Sequence, residues 1–193
     1  MKGAIVLAML ASVTALTAQK PLVEGDPGSS VRVVVFEDLQ CPDCAAFRRM
    51  IDEKLLPKYG ATVAFEHRDF PLAKHAWSRK AAIAARFFQE EAGPETGLAY
   101  RRHMLATLRE TTVDNFNERL AAFAREHKVD PQKAVQALDD PKYAAMVEQD
   151  FQDGVARGVA RTPTAFVNGA PFVERFTFEE ISKEIDRALA GAK

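Results

Sequence analysis

The 193-residue sequence holds two cysteines, one tryptophan and four histidines, and those scarcities exclude a good deal. Two cysteines cannot form the dense disulfide framework of a small secreted scaffold. A structural zinc site wants four Cys or His ligands, and His67, His75, His103 and His127 have no paired spacing to complete one. No charge dominates, with 26 Lys and Arg against 27 Asp and Glu for a net −1, so nothing calls for nucleic acid or an anionic membrane as partner. Internal repeats, low-complexity tracts and nucleotide, flavin or metal signatures are missing. No apolar run reaches the ~20 residues that a membrane-spanning helix needs.

What is present begins with Lys2 ahead of an apolar stretch from Ala4 to Leu16, with small residues at Thr14, Ala15, Thr17 and Ala18. This is the pattern of a secretory signal peptide over residues 1–18, with cleavage expected after Ala15 or Ala18; retention as an anchor is the alternative. It predicts a periplasmic or otherwise extracytoplasmic protein. The remaining ~175 residues suffice for one domain with a well-buried core, and the loss of Lys2 moves the net charge to about −2.

The two cysteines stand together as Cys41-Pro42-Asp43-Cys44. A bridge across two residues closes too small a loop to restrain the unfolded chain much, so stapling is a poor explanation and redox chemistry a good one. The flanking sequence places the pair. Ser29 to Phe36 is a β-branched run suited to a strand buried on both faces. Phe47, Met50, Ile51 and Leu55 then recur at helical spacing, with Pro42 in the first turn where its missing N–H costs nothing, and Pro57 and Gly60 are expected to close that helix. Thr62 to Phe70 alternates Val63, Phe65 and His67 on one face, which predicts a second, parallel strand.

From Pro71 to Gly158 the pattern is helical only. Trp77, Ala81, Ala84 and Phe88 mark one face, Phe116, Leu120, Phe123 and Ala124 another, and Tyr143, Val147, Phe151 and Val155 a third, with a capping box expected at Asn115 and Glu118. Strand character returns at Thr164 to Val167, followed by the hairpin signal Asn168-Gly169 and by Pro171 to Val173. Thr177 with Glu180 forms a capping box before a last helix that carries Phe178, Ile181, Ile185 and Leu189 on one face.

At a helix N-terminus the free N–H groups and the dipole stabilise a thiolate, so Cys41 is the attacking residue and Cys44, one turn in, resolves the mixed disulfide. The charge of Asp43 opposes a neighbouring thiolate. A second element is Arg161-Thr162-Pro163-Thr164 ahead of the hairpin. Trp77 reads as core of the helical segment, and His67, His75 and His103 read as packed or surface residues without an acid–base role.

These segments resemble the exported branch of the DsbA-like thiol-disulfide oxidoreductases, in the thioredoxin superfamily. The resemblance rests on Phe36 to Cys44, on Phe70-Pro71-Leu72 with His75 and Ala81-Ala82, and on Thr162 to Gly169, in this order, and spans the chain after the signal. It implies an α/β thioredoxin fold, a central mixed sheet flanked by helices, with residues 19–72 and 159–193 forming the thioredoxin domain and 73–158 an inserted all-helical domain. It further implies a cis peptide at Thr162-Pro163 against the dithiol, with both residues binding substrate. Two departures stand out. Arg161 replaces the usual glycine and puts a cation near the thiolate, unless its stem turns to solvent. Val35 replaces a buried acid six residues before the first cysteine, and Glu37, on the same strand face, is a candidate substitute or else an exposed acid at a strand end.

The expected function is disulfide exchange with reduced or unfolded exported proteins, in the oxidase direction, with a membrane redox partner recycling the dithiol and no cofactor beyond the Cys41–Cys44 disulfide. A disulfide reductase or isomerase, and a peptide-binding chaperone on the same fold, are the alternatives. The interval from Gln19 to Ser30 is too short for the dimerisation module of the known isomerase design, so a monomer is expected.

Overall fold

The structure is a computed structural model that describes residues 21–192; the expected signal segment lies outside the described residues. Five strands form one mixed sheet in the order β1-β3-β2-β4-β5, comprising β1 (Leu22–Gly25), β2 (Arg32–Glu37), β3 (Ala64–Asp69), β4 (Thr164–Val167) and β5 (Ala170–Val173). β2 and β3 run parallel, as expected of a strand-helix-strand unit, and the other pairs are antiparallel. Strand β1 was not anticipated. Its four residues lie beside β3, Leu22 opposite His67, and are too few to show a period of two.

Helix α1 (Pro42–Met50) begins right after Cys41. It does not stop at Pro57. The proline has no N–H to give, and just ahead of it the helix opens into a π turn over Ile51–Leu55, in which the Leu56 N–H reaches back to Ile51 O; α2 (Leu56–Tyr59) follows and ends at Gly60.

One face of the sheet buries Val33, Val35, Phe65, Ala165 and Val167 against Phe47, Ile51 and Leu55, and against Ile181 and Ile185 of the last helix, α8 below. The other face packs Phe36, Phe70 and Val159 with Val34, Phe151 and Phe166.

Between β3 and β4 the chain builds α3 (Ser78–Ala92), α4 (Pro94–Ala106), α5 (Phe116–Glu126), α6 (Pro131–Gln136) and α7 (Pro141–Ala156). Their apolar stripes meet in a core of their own around Trp77, Phe88, Tyr100, Phe123 and Val147. Two expectations fail here. Asn115 sits at the start of α5 without capping it, because its side chain accepts from the Thr112 N–H at 2.8 Å and donates to Glu110 O at 2.9 Å. Val155 is 48% exposed, since it lies in the last turn of α7 beyond the reach of the core. The hairpin turns through Asn168 and Gly169 at φ 44° and 96°, and α8 (Phe178–Gly191) carries both bonds of the Thr177/Glu180 capping box.

Gly154 lets α7 lie close on the sheet. A Cβ there would stand 2.6 Å from Phe70 Cδ2 and 3.0 Å from Phe36 Cδ1. The Phe70 ring cannot easily yield, stacked on Phe151 with centroids 4.6 Å apart and set edge-on to Phe36. Helix propensity alone would make alanine better than glycine by about 1 kcal/mol, whereas forcing a group into a filled core costs about 1–3 kcal/mol. Gly154→Ala is therefore expected to lower unfolding free energy by about 1 kcal/mol, the middle of the difference between the two, in urea titration; an unchanged or raised midpoint would show that the ring swings aside.

Candidate active site

Sheet register assembles the site. Phe36 pairs with Thr164 across the antiparallel β2–β4 contact, so the residues just before β4 meet those just after β2. Those are Arg161 to Pro163 and Asp38 to Cys41. The Thr162–Pro163 peptide is cis, and the Cys41 thiol donates to Thr162 O at 3.3 Å.

Cys41 is the residue preceding α1, with Pro42 in the first turn. The two sulfurs are reduced and differ in environment. Cys41 keeps 6% of its surface exposed and Cys44 only 1%, so an incoming sulfur reaches Cys41 first.

Their acidities diverge as well. The hydrogen bond from the Cys44 thiol is the largest influence on Cys41; burial opposes it, and the Thr162 side chain with the N–H groups of Cys44 and Asp43 brings the Cys41 pKa down to about 6. Thr162 Oγ1 is buried and has no hydrogen-bond partner among the described residues. Burial, and then the neighbouring Cys41, push Cys44 well above the ordinary thiol value. One sulfur is thus a thiolate at neutral pH and the other a thiol, the pairing that nucleophile and resolving group need.

Asp43, half-buried in the first turn, acts on Cys41 favourably through its N–H. Arg161 is exposed and its guanidinium pairs with Glu174 at 2.9 Å, so its stem turns toward the solvent-facing rim.

Glu37 is not an exposed strand end but 3% exposed, inside a chain of buried charges. His67 Nδ1 stands 3.1 Å from its Oε1 and Arg101 donates to the same oxygen at 3.0 Å. Burial alone would raise the Glu37 pKa, but His67, then Arg101 and Arg48, hold it down at about 2. Burial likewise works to lower the His67 pKa, and Glu37 and Glu24 together raise it; the contact of His67 Nε2 with Glu24 is 2.8 Å. His67 thus lies between two carboxylates that favour its charged form. A carboxylate held this firmly is a poor proton carrier near neutral pH, and its charge adds to the forces that keep Cys44 protonated. From Glu37 the chain continues through Arg101 and Asp69 to Arg86 and Asp150.

Asp38 is the residue that the sequence reading missed. It is 1% exposed. Its carbonyl accepts the Cys41 N–H at 3.0 Å and its own N–H points to Cys44 Sγ at 3.4 Å. Its carboxylate accepts from Gln40 N–H, Leu72 N–H and His75 Nδ1, each at 2.7 Å. Gln40 in turn takes the Trp77 N–H at 2.8 Å. The available signal was an acid three residues before the nucleophile with a histidine just past the following strand. Among the described residues no group of three or more His, Cys, Asp or Glu is arranged to hold a metal ion.

A family model described as thioredoxin matches residues 17–187. The chain is 28% identical over 172 residues to Na(+)/H(+) antiporter NhaA 3 of Salinispora tropica, a match covering 89% of this chain and 25% of the antiporter; the chain spans about a quarter of the length of that relative. It is 24% identical over 183 residues to disulfide bond formation protein D of Bacillus subtilis, with 89% of this chain and 81% of that protein covered. The crystal structure of oxidised BdbD from Bacillus subtilis superposes with a TM-score of 0.79 at 24% identity, covering 88% of this chain and 93% of that one.

The depressed Cys41 pKa fixes two measurable signs. In the reduced protein its stabilising contribution is complete above the ordinary value of 9.0 and is lost as pH falls through about 6. Alkylation by iodoacetamide is expected to be confined to Cys41, with an inflection near pH 6 that Cys44→Ala moves upward by removing the largest cause. An inflection at 9.0 would remove the thiolate from the account.

Proposed function

The chain belongs to the thioredoxin family, whose model covers residues 17–187, and on that footing we propose that it is an exported thiol-disulfide oxidoreductase that oxidises reduced client proteins. The observation that carries the reading is the asymmetry of the dithiol, with Cys41 lowered to about 6 and Cys44 raised well above the ordinary value, at a helix N-terminus beside Thr162 and Pro163.

A client thiolate attacks Cys41 Sγ of the Cys41–Cys44 disulfide; the bond between them breaks, and its electron pair stays on Cys44, which takes up a proton. A second client thiolate attacks the client sulfur of the mixed disulfide. The client disulfide forms, and Cys41 leaves as the thiolate that the helix terminus and Thr162 stabilise. The reduced dithiol must then pass two electrons to a redox partner, proposed to lie in the membrane, before another cycle. Thr162 and Pro163 lie where an extended client segment would run past Cys41. Glu37 supplies fixed negative charge near Cys44 in place of the acid missing at Val35, the Asp43 N–H supports the Cys41 thiolate, and Arg161 lies at the rim of the client site. No helix among the described residues is long and apolar enough to cross a membrane.

The direction of electron flow rests on the stability of the reduced form. Cys41 falls between the nucleophilic cysteine of thioredoxin, near pKa ~7, and that of the strongest oxidant of the superfamily, near ~3.5. An equilibrium potential between about −270 and −120 mV is expected in glutathione redox titration, with oxidation of a reduced, unfolded client reduced by at least ~100-fold in Cys41→Ser. A potential below about −270 mV would turn the reading to a reductase, and a Cys41→Ser variant that still prevents client aggregation as the wild type does would favour a chaperone.

A further inference from the structure

The mechanism above uses Cys44 as leaving group and, in reverse, as nucleophile, yet gives it no device for carrying negative charge during that step. Burial and Cys41 both oppose a Cys44 thiolate, and Glu37 adds to them. The polar hydrogen that reaches its sulfur from outside the dithiol turn is the Asp38 N–H, at 3.4 Å. Whether that hydrogen stays on the sulfur depends on the orientation of the peptide plane before Asp38, which Phe70 N–H holds at the Glu37 O end at 2.8 Å and the clamped Asp38 side chain holds at the other.

We propose that His75 is a positioning residue for Cys44, acting through Asp38. The buried Asp38 carboxylate is clamped by three donors at 2.7 Å. Gln40 N–H comes from the active-site turn itself and Leu72 N–H from the segment after β3; both are main chain. His75 is the side chain among them. It is also the one titratable partner of this carboxylate, its side chain 16% exposed against 0% for Asp38. Its other ring nitrogen has no partner among the described residues, so its aligned contact is the one it makes to Asp38.

The ring is held in turn by its own backbone, since His75 N–H donates to Leu72 O at 3.0 Å. Two residues on, Trp77 N–H is tied to Gln40, and the Trp77 ring packs in the same cluster as Leu39, Cys41 and Cys44. Asp38 therefore links the start of the inserted helices to the sulfur that must change charge. Without His75 the carboxylate keeps two donors, and the Asp38 end of the peptide is held less firmly while Phe70 N–H still holds the Glu37 end.

The step affected is specific. When a reduced enzyme meets glutathione disulfide, the Cys41 thiolate first displaces one glutathione as thiolate and forms a mixed disulfide. Then Cys44 Sγ–H gives up its proton, its sulfur bonds to Cys41 Sγ, and the bond from Cys41 to glutathione breaks; the second glutathione leaves with the electron pair and ends as a thiol. Only the second step puts charge on Cys44. His75 should leave the first step alone.

The inference rests on the reading of Cys41 and Cys44 as an exchanging pair, and the experiment separates the two. Reduced protein is mixed with glutathione disulfide, quenched in acid at intervals and weighed, which resolves free enzyme, mixed disulfide and closed disulfide. In His75→Ala the first step is expected within about twofold of wild type and the second about tenfold slower, so that mixed disulfide accumulates. His75→Asn, whose amide nitrogen falls near the place of Nδ1, should restore the second step to within about threefold; His75→Gln, whose nitrogen falls near Nε2, should not, and it stands in for the alanine variant should that fail to fold. Equal slowing of both steps without rescue by asparagine would mark a merely structural residue, and unchanged rates in both His75→Ala and His75→Gln would overturn the proposal outright. A wild type that forms no mixed disulfide at Cys41 would instead sink the oxidoreductase reading.

Discussion

A charge buried away from water must find an opposite charge or hydrogen bonds, because leaving it bare costs several kcal/mol. Here that constraint organises the molecule. Glu24 on β1, Glu37 on β2, and His67 and Asp69 on β3 all lie inside, and their partners Arg48, Arg86 and Arg101 come from α1, α3 and α4. Asp150 of α7 closes the far end through Arg86 and Arg68. Such pairs add little to stability compared with well-packed apolar side chains, but removing one partner strands the other. What they provide is register: a helix shifted along the sheet would leave a guanidinium without its carboxylate. The inserted helices sit on the sheet in one arrangement, and Glu37 keeps its charge beside the dithiol.

That arrangement also explains how two sulfurs of the same residue type come to differ. Cys41 lies at the end of a helix, 6% exposed, among hydrogen-bond donors. Cys44 lies one turn deeper, where burial and negative charge act together. The difference arises from position along a single helical turn, set by the β2–β4 pairing on one side and by the Asp38 clamp on the other.

The order of strands and helices was legible in the sequence because apolar side chains recur at their periods, as in Val31 to Phe36 or at Phe47, Ile51 and Leu55. The dithiol and the Thr162-Pro163 turn were legible because their residue types are uncommon in that order. What escaped was the polar interior. His67 shares the strand face of Val63 and Phe65, and only the arrival of Glu24 from the unforeseen edge strand β1 sets it between two buried carboxylates. Asp38 and Gln40 are ordinary loop residues until the chain between β3 and α3 folds back over them and brings His75 and Trp77. Local pattern carries no record of such meetings, since the partners come from segments tens of residues apart. Of the two residues expected to close the first helix, Gly60 does so, while Pro57 is carried past by the π turn ahead of it.

The two cysteines pack with Leu39, Ala45 and Trp77 in the apolar cluster of the inserted helices, while Phe47, a single residue past Ala46 on the same helix, belongs to the core of the sheet. The boundary between the two modules therefore passes through the first turn of α1. Neither module alone owns the reactive centre. A thioredoxin scaffold stripped of its insertion would keep the motif and lose the wall behind it, so in this chain the transferable unit of chemistry is a seam, inherited only when both halves are inherited together.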